Sequence, residues 1–460
     1  NKGDYAAAEA DYTTFLGKSP KDADAYLNRG LARAELNNAA GARADYDKLI
    51  ELAPKFVRGY LLRAALRRDA NDLSGAFADA NKAAELAPDD LNARWERGLT
   101  YAAAENYDAA ITDFTKCLEI APKAYGASFQ RGQAHQHKGN YVAAEADFSK
   151  YIEAQPADSD GYLNRAKARE ELQNRPGAFA DYTKAIELAP KYVWAYISRA
   201  GVRRQTGDVA GAFADIDAAI ALEPKNVQLY WQRGYTHYQL EQYPEALAAF
   251  TQCLELQPDY HYASYWLSMV RRAGKLDLPA ALVDIDRALQ LLKEPDSYYQ
   301  LERAFVLRAL GRPADALAEI ERAVITSPQN GYVLTERGQQ KKLMGDPAGA
   351  LVDFEQAIQL DPLRPQGYME RGTMRREQGD FTAALADLSK ALELSPKAWG
   401  NYAERGLILL NLGRIDDARN DIGKAVELGP KYAPAYVNRA LLKRKLKDFK
   451  GALVDYNKAI

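Results

Sequence analysis

"KAIELAP", residues 184–190, decides the fold, because the chain keeps returning to it. It stands as "DKLIELAP" at 47–54 and as "KALELSP" at 390–396. Its proline falls at Pro20, Pro54, Pro88, Pro122, Pro156, Pro190, Pro224 and Pro258, at steps of 34 residues. After one irregular step it continues at Pro295, Pro328, Pro362, Pro396 and Pro430. A period of that length reads as an array of helix–turn–helix units.

The other columns of the period carry the physics of two packed helices. One column is alanine throughout, from Ala8 and Ala42 to Ala418 and Ala452, and a second is Gly, Ala or Ser, from Gly30 and Ala64 to Gly406 and Ala440. Small residues on both sides predict a close crossing of the two helices of each unit. Tyr46, Phe114, Phe148, Tyr182, Phe250 and Phe354 lie four residues after the invariant alanine, on the same helical face. Pairs such as Gly139-Asn140 and Gly207-Asp208 predict a left-handed helix end followed by an N-cap. The seven prolines off the ladder support the same boundaries. Pro176, Pro244, Pro279, Pro313 and Pro347 fall where second helices begin, and Pro365 and Pro434 where first helices begin. Proline is tolerated only in that first turn.

"YLNRGLARAELNNAAGARADYDKLIELAP" (26–54) and "YMERGTMRREQGDFTAALADLSKALELSP" (368–396) resemble the tetratricopeptide repeat in its bacterial style. The resemblance covers the whole chain. It implies an all-α fold, a right-handed α-solenoid (superhelix) of about 12 complete 34-residue repeats with partial repeats at both ends. The expected limits are a partial repeat over 1–22, full repeats over 23–432 and a partial repeat over 433–460, forming a single continuous solenoid, with one irregular repeat near 261–296. The chain opens at Asn1 and stops at Ile460, just short of another "ELxP". Both ends are therefore expected to fall inside an array, which would permit self-association through them. The family implies first helices lining an inner groove, second helices on the outside, and binding of proteins or peptides without catalysis.

Composition agrees. The 460 residues are 47% hydrophobic and 27% charged, with a formal net charge of −2, which demands neither nucleic acid nor an anionic membrane. No apolar run approaches the ~20 residues of a membrane helix, so a soluble, cytoplasmic chain is expected rather than a periplasmic or secreted one. Cys117 and Cys253 stand in a column that is mostly alanine and read as small core residues. His135 and His137 are two apart on a helix and cannot face one ligand together, so no metal is expected. No phosphate loop, nucleophile elbow or dinucleotide fingerprint occurs, and neither catalysis nor a cofactor is expected.

One departure from the family concerns charge. Arginine replaces the usual leucine in the first helix, as at Arg29, Arg199, Arg233 and Arg439, and an acid recurs in the second, as at Asp45, Asp215 and Asp455. These columns predict a ladder of interhelical ion pairs. Ala249 lacks the acid in one repeat and Leu267 lacks the arginine in the next, which points to pairing across repeats, Asp215 with Arg233 rather than Arg199 with Asp215.

"DYHYASYW" (259–266) supplies the candidate site. Tyr260 and Tyr265 are explained by the repeat, whereas Tyr262 and Trp266 are not. By the resemblance both fall on the groove side, where Trp194, Trp231, Tyr235, Tyr238, Tyr298 and Phe305 take comparable places. Trp231, Tyr235 and Tyr238 follow helical spacing. A neighbouring column turns basic at Arg204, Arg272, Arg308, Lys342, Arg376 and Arg444. A bland reading, a solvated charged face with aromatics packing between repeats, stands beside a binding groove for a protein or peptide segment, acidic with apolar anchors. Two alternatives remain: binding of nucleic acid or another polyanion by this lining, and an adaptor arm of a larger enzyme.

Overall fold

The computed structural model describes residues 4–460. Among them 27 α-helices follow one another and no strand occurs. They form two compact units, divided in sequence between Pro224 and Lys225. Within each unit the pattern is the same. A first helix of 13 or 14 residues, such as Val57–Asp69, turns back into a second of 14, such as Leu73–Leu86. First helices also touch the first helices of neighbouring repeats, Val57–Asp69 against Leu91–Ala103 and Gly331–Leu343 against Pro365–Glu377.

The turns follow from the expected residues. Asn71 takes φ 59°, and Asp72 then accepts a hydrogen bond from the Gly75 N–H at 3.0 Å. Glycine holds the same left-handed place at Gly139, Gly207 and Gly379, but Glu105, Gln173, Glu241 and Lys275 hold it elsewhere. The off-ladder prolines sit in first turns, as at Pro176, Pro244 and Pro365. The small columns form the close crossing. Ala42, Ala178 and Ala350 are fully buried, and a Cβ at Gly338 would lie 2.5 Å from Phe354 Cε1.

The tyrosine that opens most first helices ties them to the proline ladder. Tyr60 Oη donates to the Pro54 carbonyl at 3.0 Å, Tyr196 to Pro190 at 3.2 Å and Tyr436 to Pro430 at 2.9 Å. Where Arg94 replaces the tyrosine, its Nε donates to the Pro88 carbonyl at 2.9 Å. Where tyrosine or arginine fills the column it is thus a tether to one carbonyl.

The ion-pair ladder exists, but the cross-repeat pairing of Asp215 with Arg233 is overturned. Arg199 donates to Asp215 from Nε at 2.9 Å and Nη2 at 2.6 Å, within one repeat. The same fork recurs at Arg29–Asp45, Arg131–Asp147, Arg371–Asp387 and Arg439–Asp455. Antiparallel helices joined by a three-residue turn bring residues sixteen apart level with each other. Ala249 and Leu267 therefore break two different rungs. Asp284, left without its first partner by Leu267, keeps a second, Arg271 at 2.8 Å. The arginine does reach the preceding repeat by its other arm, onto a carboxylate at Arg63, whose Nη1 donates to Asp47 Oδ1 at 2.7 Å, and onto a hydroxyl elsewhere. Arg199 Nη1 donates to Thr183 Oγ1 at 3.2 Å.

The irregular repeat keeps its helices intact, His261–Ala273 and Leu278–Leu291. The first extra residue lengthens the turn between them, where Lys275 takes φ 51° and Leu276 is exposed. The next first helix starts at Ser297, after a five-residue connection capped by Asp296, which accepts from Tyr298 N–H at 2.7 Å.

Candidate functional site

In the second unit, the first helices Val227–Gln239 and His261–Ala273 bring together most of the aromatic residues singled out above. Trp231 stacks on Tyr235 at 5.2 Å and on Tyr262 at 5.6 Å. Trp266 is the hub. It meets Tyr235 and Tyr238 edge to face, each at 5.3 Å, and stacks on Phe250 at 5.7 Å. Trp266 is only 8% exposed, so it is core that supports the face rather than an anchor on it. Trp231, Tyr235, Tyr238 and Tyr262 are half-buried. Trp231 Nε1 and Trp266 Nε1 have no hydrogen-bond partner and lie within the ring cluster. Tyr265 belongs to the packing and meets Tyr299 at 4.5 Å, and Tyr299 Oη pairs with His261 Nδ1 at 2.9 Å.

Tyr298 lies on the next first helix, Ser297–Ala309, and is 50% exposed. It stacks with Tyr332 of the following repeat at 6.3 Å. Phe305 is half-buried between two cations, Arg272 at 5.3 Å and Arg308 at 5.1 Å from its ring centre. Trp194 (57% exposed) and Arg204 lie in the first unit, on Val193–Thr206.

Four members of the basic column, Arg272, Arg308, Lys342 and Arg376, face acids in a second ladder that sequence reasoning missed. Arg272 forks onto Glu302 at 2.8 and 2.7 Å, and Glu302 is 2% exposed. Arg308 lies 4.0 Å from Glu336 and Arg376 bonds Glu404 at 2.9 Å. Lys342 bonds Glu377 at 3.0 Å, while Gln339 donates to Glu370 at 3.0 Å. In the first unit Arg68–Glu96, at 2.6 Å, is such a rung. Each links one first helix to the next. Burial pushes the carboxyls of Glu302, Glu336 and Glu370 above the usual range, against the pull of Arg272, Arg308 and Lys342. The signal was present in the sequence: a glutamate stands just before the ladder arginine in "LERA" (301–304), "TERG" (335–338), "MERG" (369–372) and "AERG" (403–406). Trp266 occupies this glutamate column and Tyr238 the basic one, so an aromatic pair replaces an ion pair at that step.

Among the described residues no three His, Cys, Asp or Glu side chains gather as metal ligands would. Burial raises the thiols of Cys117 to about 11 and Cys253 to about 12, so both stay protonated near neutral pH. Within the described residues no helix is long and apolar enough to cross a membrane.

No curated protein sequence matches the chain. Solved structures similar to it include yeast Tom70, at 17% identity over 95% of each chain with a TM-score of 0.49. Another is the Cut9–Hcn1 hetero-tetramer of the APC/C, at 16% identity over 96% of this chain and 93% of that one, with a TM-score of 0.44. A third is a tetratricopeptide repeat protein from Parabacteroides merdae, at 18% identity over 54% and 98% with a TM-score of 0.44. Sequence profiles of the tetratricopeptide repeat match residues 1–55, 96–159, 227–260, 344–398 and 404–460. With more than half of its length matched by these profiles, the chain belongs to the tetratricopeptide repeat family.

Proposed function

We propose that the chain is a non-catalytic scaffold that binds a segment of another protein along the first-helix face of its second unit. One observation carries this reading. Trp231, Tyr235 and Tyr262 form a contiguous stack of half-exposed rings, supported from below by Trp266. Rigid aromatic rings that expose a face over a packed floor are the usual anchors of recognition. Tyr298 extends the face into the following repeat. Apolar side chains of the partner carry the affinity. Any acidic residue it bears would meet Arg308 and Lys342, which are less fully engaged than Arg272.

The paired basic column weighs against nucleic acid. Arg272, forked onto the buried Glu302, has little counterion to release to a phosphate backbone, so part of the source of a steep salt dependence is missing here.

The test is affinity capture from the lysate of the source organism. The intact chain is compared with a Trp231→Ala, Tyr235→Ala, Tyr262→Ala variant that unfolds like it. Loss of a specific partner from the variant is the expected result, with capture little weakened between ~50 and ~200 mM salt. Equal capture by both chains would overturn the assignment of this face.

A further inference from the structure

The tyrosine tether is also packed against charge. The ladder arginine lies over its ring at Arg165–Tyr162 and Arg199–Tyr196, at 5.7 and 5.9 Å from the ring centre. At Tyr402 and Tyr436 a lysine of the second helix joins it. Tyr402 has Arg405 at 5.8 Å and Lys424 at 5.2 Å, and Tyr436 has Arg439 at 5.1 Å and Lys458 at 4.7 Å. The repeat thus builds a slot for one phenol ring, with two cations over the ring and a proline carbonyl at its hydroxyl end.

One repeat of the first unit keeps the slot and lacks the ring. Ser128 stands in the tyrosine column, on the helix Tyr125–His137, and is buried. A serine side chain ends one atom beyond Cβ and cannot span a distance that a whole ring covers. In its place is a cleft of about 300 Å³, lined by Thr115, Leu118, Pro122, Ser128, Arg131 and Lys150 among others. Pro122 is the proline that the missing hydroxyl would reach, and Arg131 and Lys150 occupy the columns of Arg405 and Lys424. Arg131 is fixed as its counterparts are. It forks onto Asp147 at 2.8 and 2.6 Å, and its Nη1 donates to Thr115 Oγ1 at 3.0 Å.

Three other repeats that lack the tyrosine fill its place by other means. Arg94 donates to the Pro88 carbonyl at 2.9 Å. In the repeat of Ser264, Arg287 takes the lysine column and its Nη2 donates to the Pro258 carbonyl at 2.7 Å, while Leu267 removes the arginine altogether. Leu334 fills the position with a buried aliphatic side chain. At Ser128 both cations stay and the ring alone is gone.

We infer that this cleft is a binding site for a small neutral phenol, a free aromatic molecule whose ring packs against Arg131 and Lys150 and whose hydroxyl donates to the Pro122 carbonyl. The chemistry selects that occupant. Two cations attract the electron-rich face of a ring. The carbonyl needs a donor, and Leu118 adds apolar contact. An anion fits less well, because Glu119 and Glu153 also line the cleft and the donors of Arg131 are already committed. Occupation would complete the tether and tie the helix Tyr125–His137 to the turn before it. The site lies in the first unit and does not depend on the Trp231 face.

The probe is 4-methylphenol, the side chain of tyrosine, titrated by calorimetry into the intact chain beside toluene, the same ring without its hydroxyl. 4-Methylphenol should bind saturably at one site, and toluene about tenfold more weakly for want of the hydrogen bond. Ser128→Tyr supplies the ring from the chain itself. It should abolish the titration and unfold at no lower temperature than the parent. Lys150→Ala changes an exposed position, leaves the fold intact and should weaken binding about threefold. Hydrogen exchange over residues 125–154 should slow when 4-methylphenol is added to the parent and stay unchanged in Ser128→Tyr. No saturable binding up to ~10 mM, equal binding of toluene, or binding of parental strength in Ser128→Tyr or in Lys150→Ala would each overturn the inference.

Discussion

Two stretches of the second unit join first helix to first helix by opposite means. Between Val227–Gln239 and His261–Ala273 the contact is Tyr238 against Trp266, ring edge on ring face. In the repeats that follow it is a cation against a glutamate, buried at Arg272–Glu302 and Arg308–Glu336 and half-buried at Arg376–Glu404. The two occupy the same columns of the repeat, so backbone geometry does not decide between them. The aromatic solution removes more apolar surface from water and leaves rings half-exposed beside it. The ionic solution demands a matched partner and uses up the charge that would otherwise mark the surface. This difference supports the aromatic stretch as the proposed binding face: its side chains have surface to spare, whereas Arg272 and Arg376 farther along are already engaged.

The sharpest way to break the comparison is to empty the hub. Trp266→Ala should destabilise the second unit by about 3–5 kcal/mol, the range for truncating a large buried aromatic. Hydrogen exchange localised to Val227–Ala273 would read it, because a repeat array responds repeat by repeat. Writing the ionic solution into the same place, Tyr238→Arg with Trp266→Glu, should recover part of that loss. No recovery would mean that the local backbone, and not the side-chain pair, selects the contact.

The ionic side breaks differently. Glu302→Ala strands the Arg272 guanidinium and should cost about 3 kcal/mol. The double change Arg272→Met, Glu302→Leu should lie much closer to the parent, because a buried pair is worth little more than its apolar replacement. Equal losses in both would show the pair to be net stabilising, and a thermal or denaturant series on the three proteins decides it.

Titration separates the two solutions again. The carboxyls of Glu302, Glu336 and Glu370 are raised in the folded chain, so the folded state holds their protons more tightly than the unfolded one. Their contribution to stability is therefore fully present below the ordinary carboxylate pKa of about 4.3, and it is lost as pH rises through the raised values. Asp455 is lowered, and its contribution fails in the opposite direction, as pH falls. Glu302→Gln, Glu336→Gln and Glu370→Gln together should flatten the pH dependence of unfolding above the ordinary carboxylate range. An unchanged slope would refute the burial of these three groups.

The architecture was legible because every repeat restates it. Prolines, small columns and caps agree over the length of the chain, and noise in any one copy is outvoted. The site was legible only in part. Trp231, Tyr235 and Tyr238 follow helical spacing, and Tyr262, Trp266 and Tyr298 are placed on the same side by the family resemblance, but neither can tell a ring that lies on a surface from one beneath it, and Trp266 proved to be beneath. The basic column was visible and its partners were not sought. The "ER" glutamates were present at matching period, but pairing between repeats is a relation between columns, and each column alone reads as a solvated face. The same weakness misassigned Asp215. A single coincidence of missing residues, Ala249 and Leu267, was weighed against a geometry that brings residues sixteen apart together in repeat after repeat.

The left-handed turn residues give the finest test of how far the repeats are equivalent. Glu105 takes φ 57° where Gly207 takes φ 85°, at the same place in their repeats. A side chain in that conformation costs about 1–2 kcal/mol. Glycine removes the strain but loses about 0.5–1 kcal/mol to greater freedom in the unfolded chain. Glu105→Gly should therefore stabilise its repeat by roughly 0.5 kcal/mol, and Gly207→Ala should destabilise its own by about 1 kcal/mol or more, since the strain then returns in full. Neither belongs to the proposed aromatic face, so neither should alter partner capture. If Glu105→Gly proved destabilising, the glutamate would be contributing something at that turn that its backbone conformation does not disclose, and the repeats would not be interchangeable even in their turns.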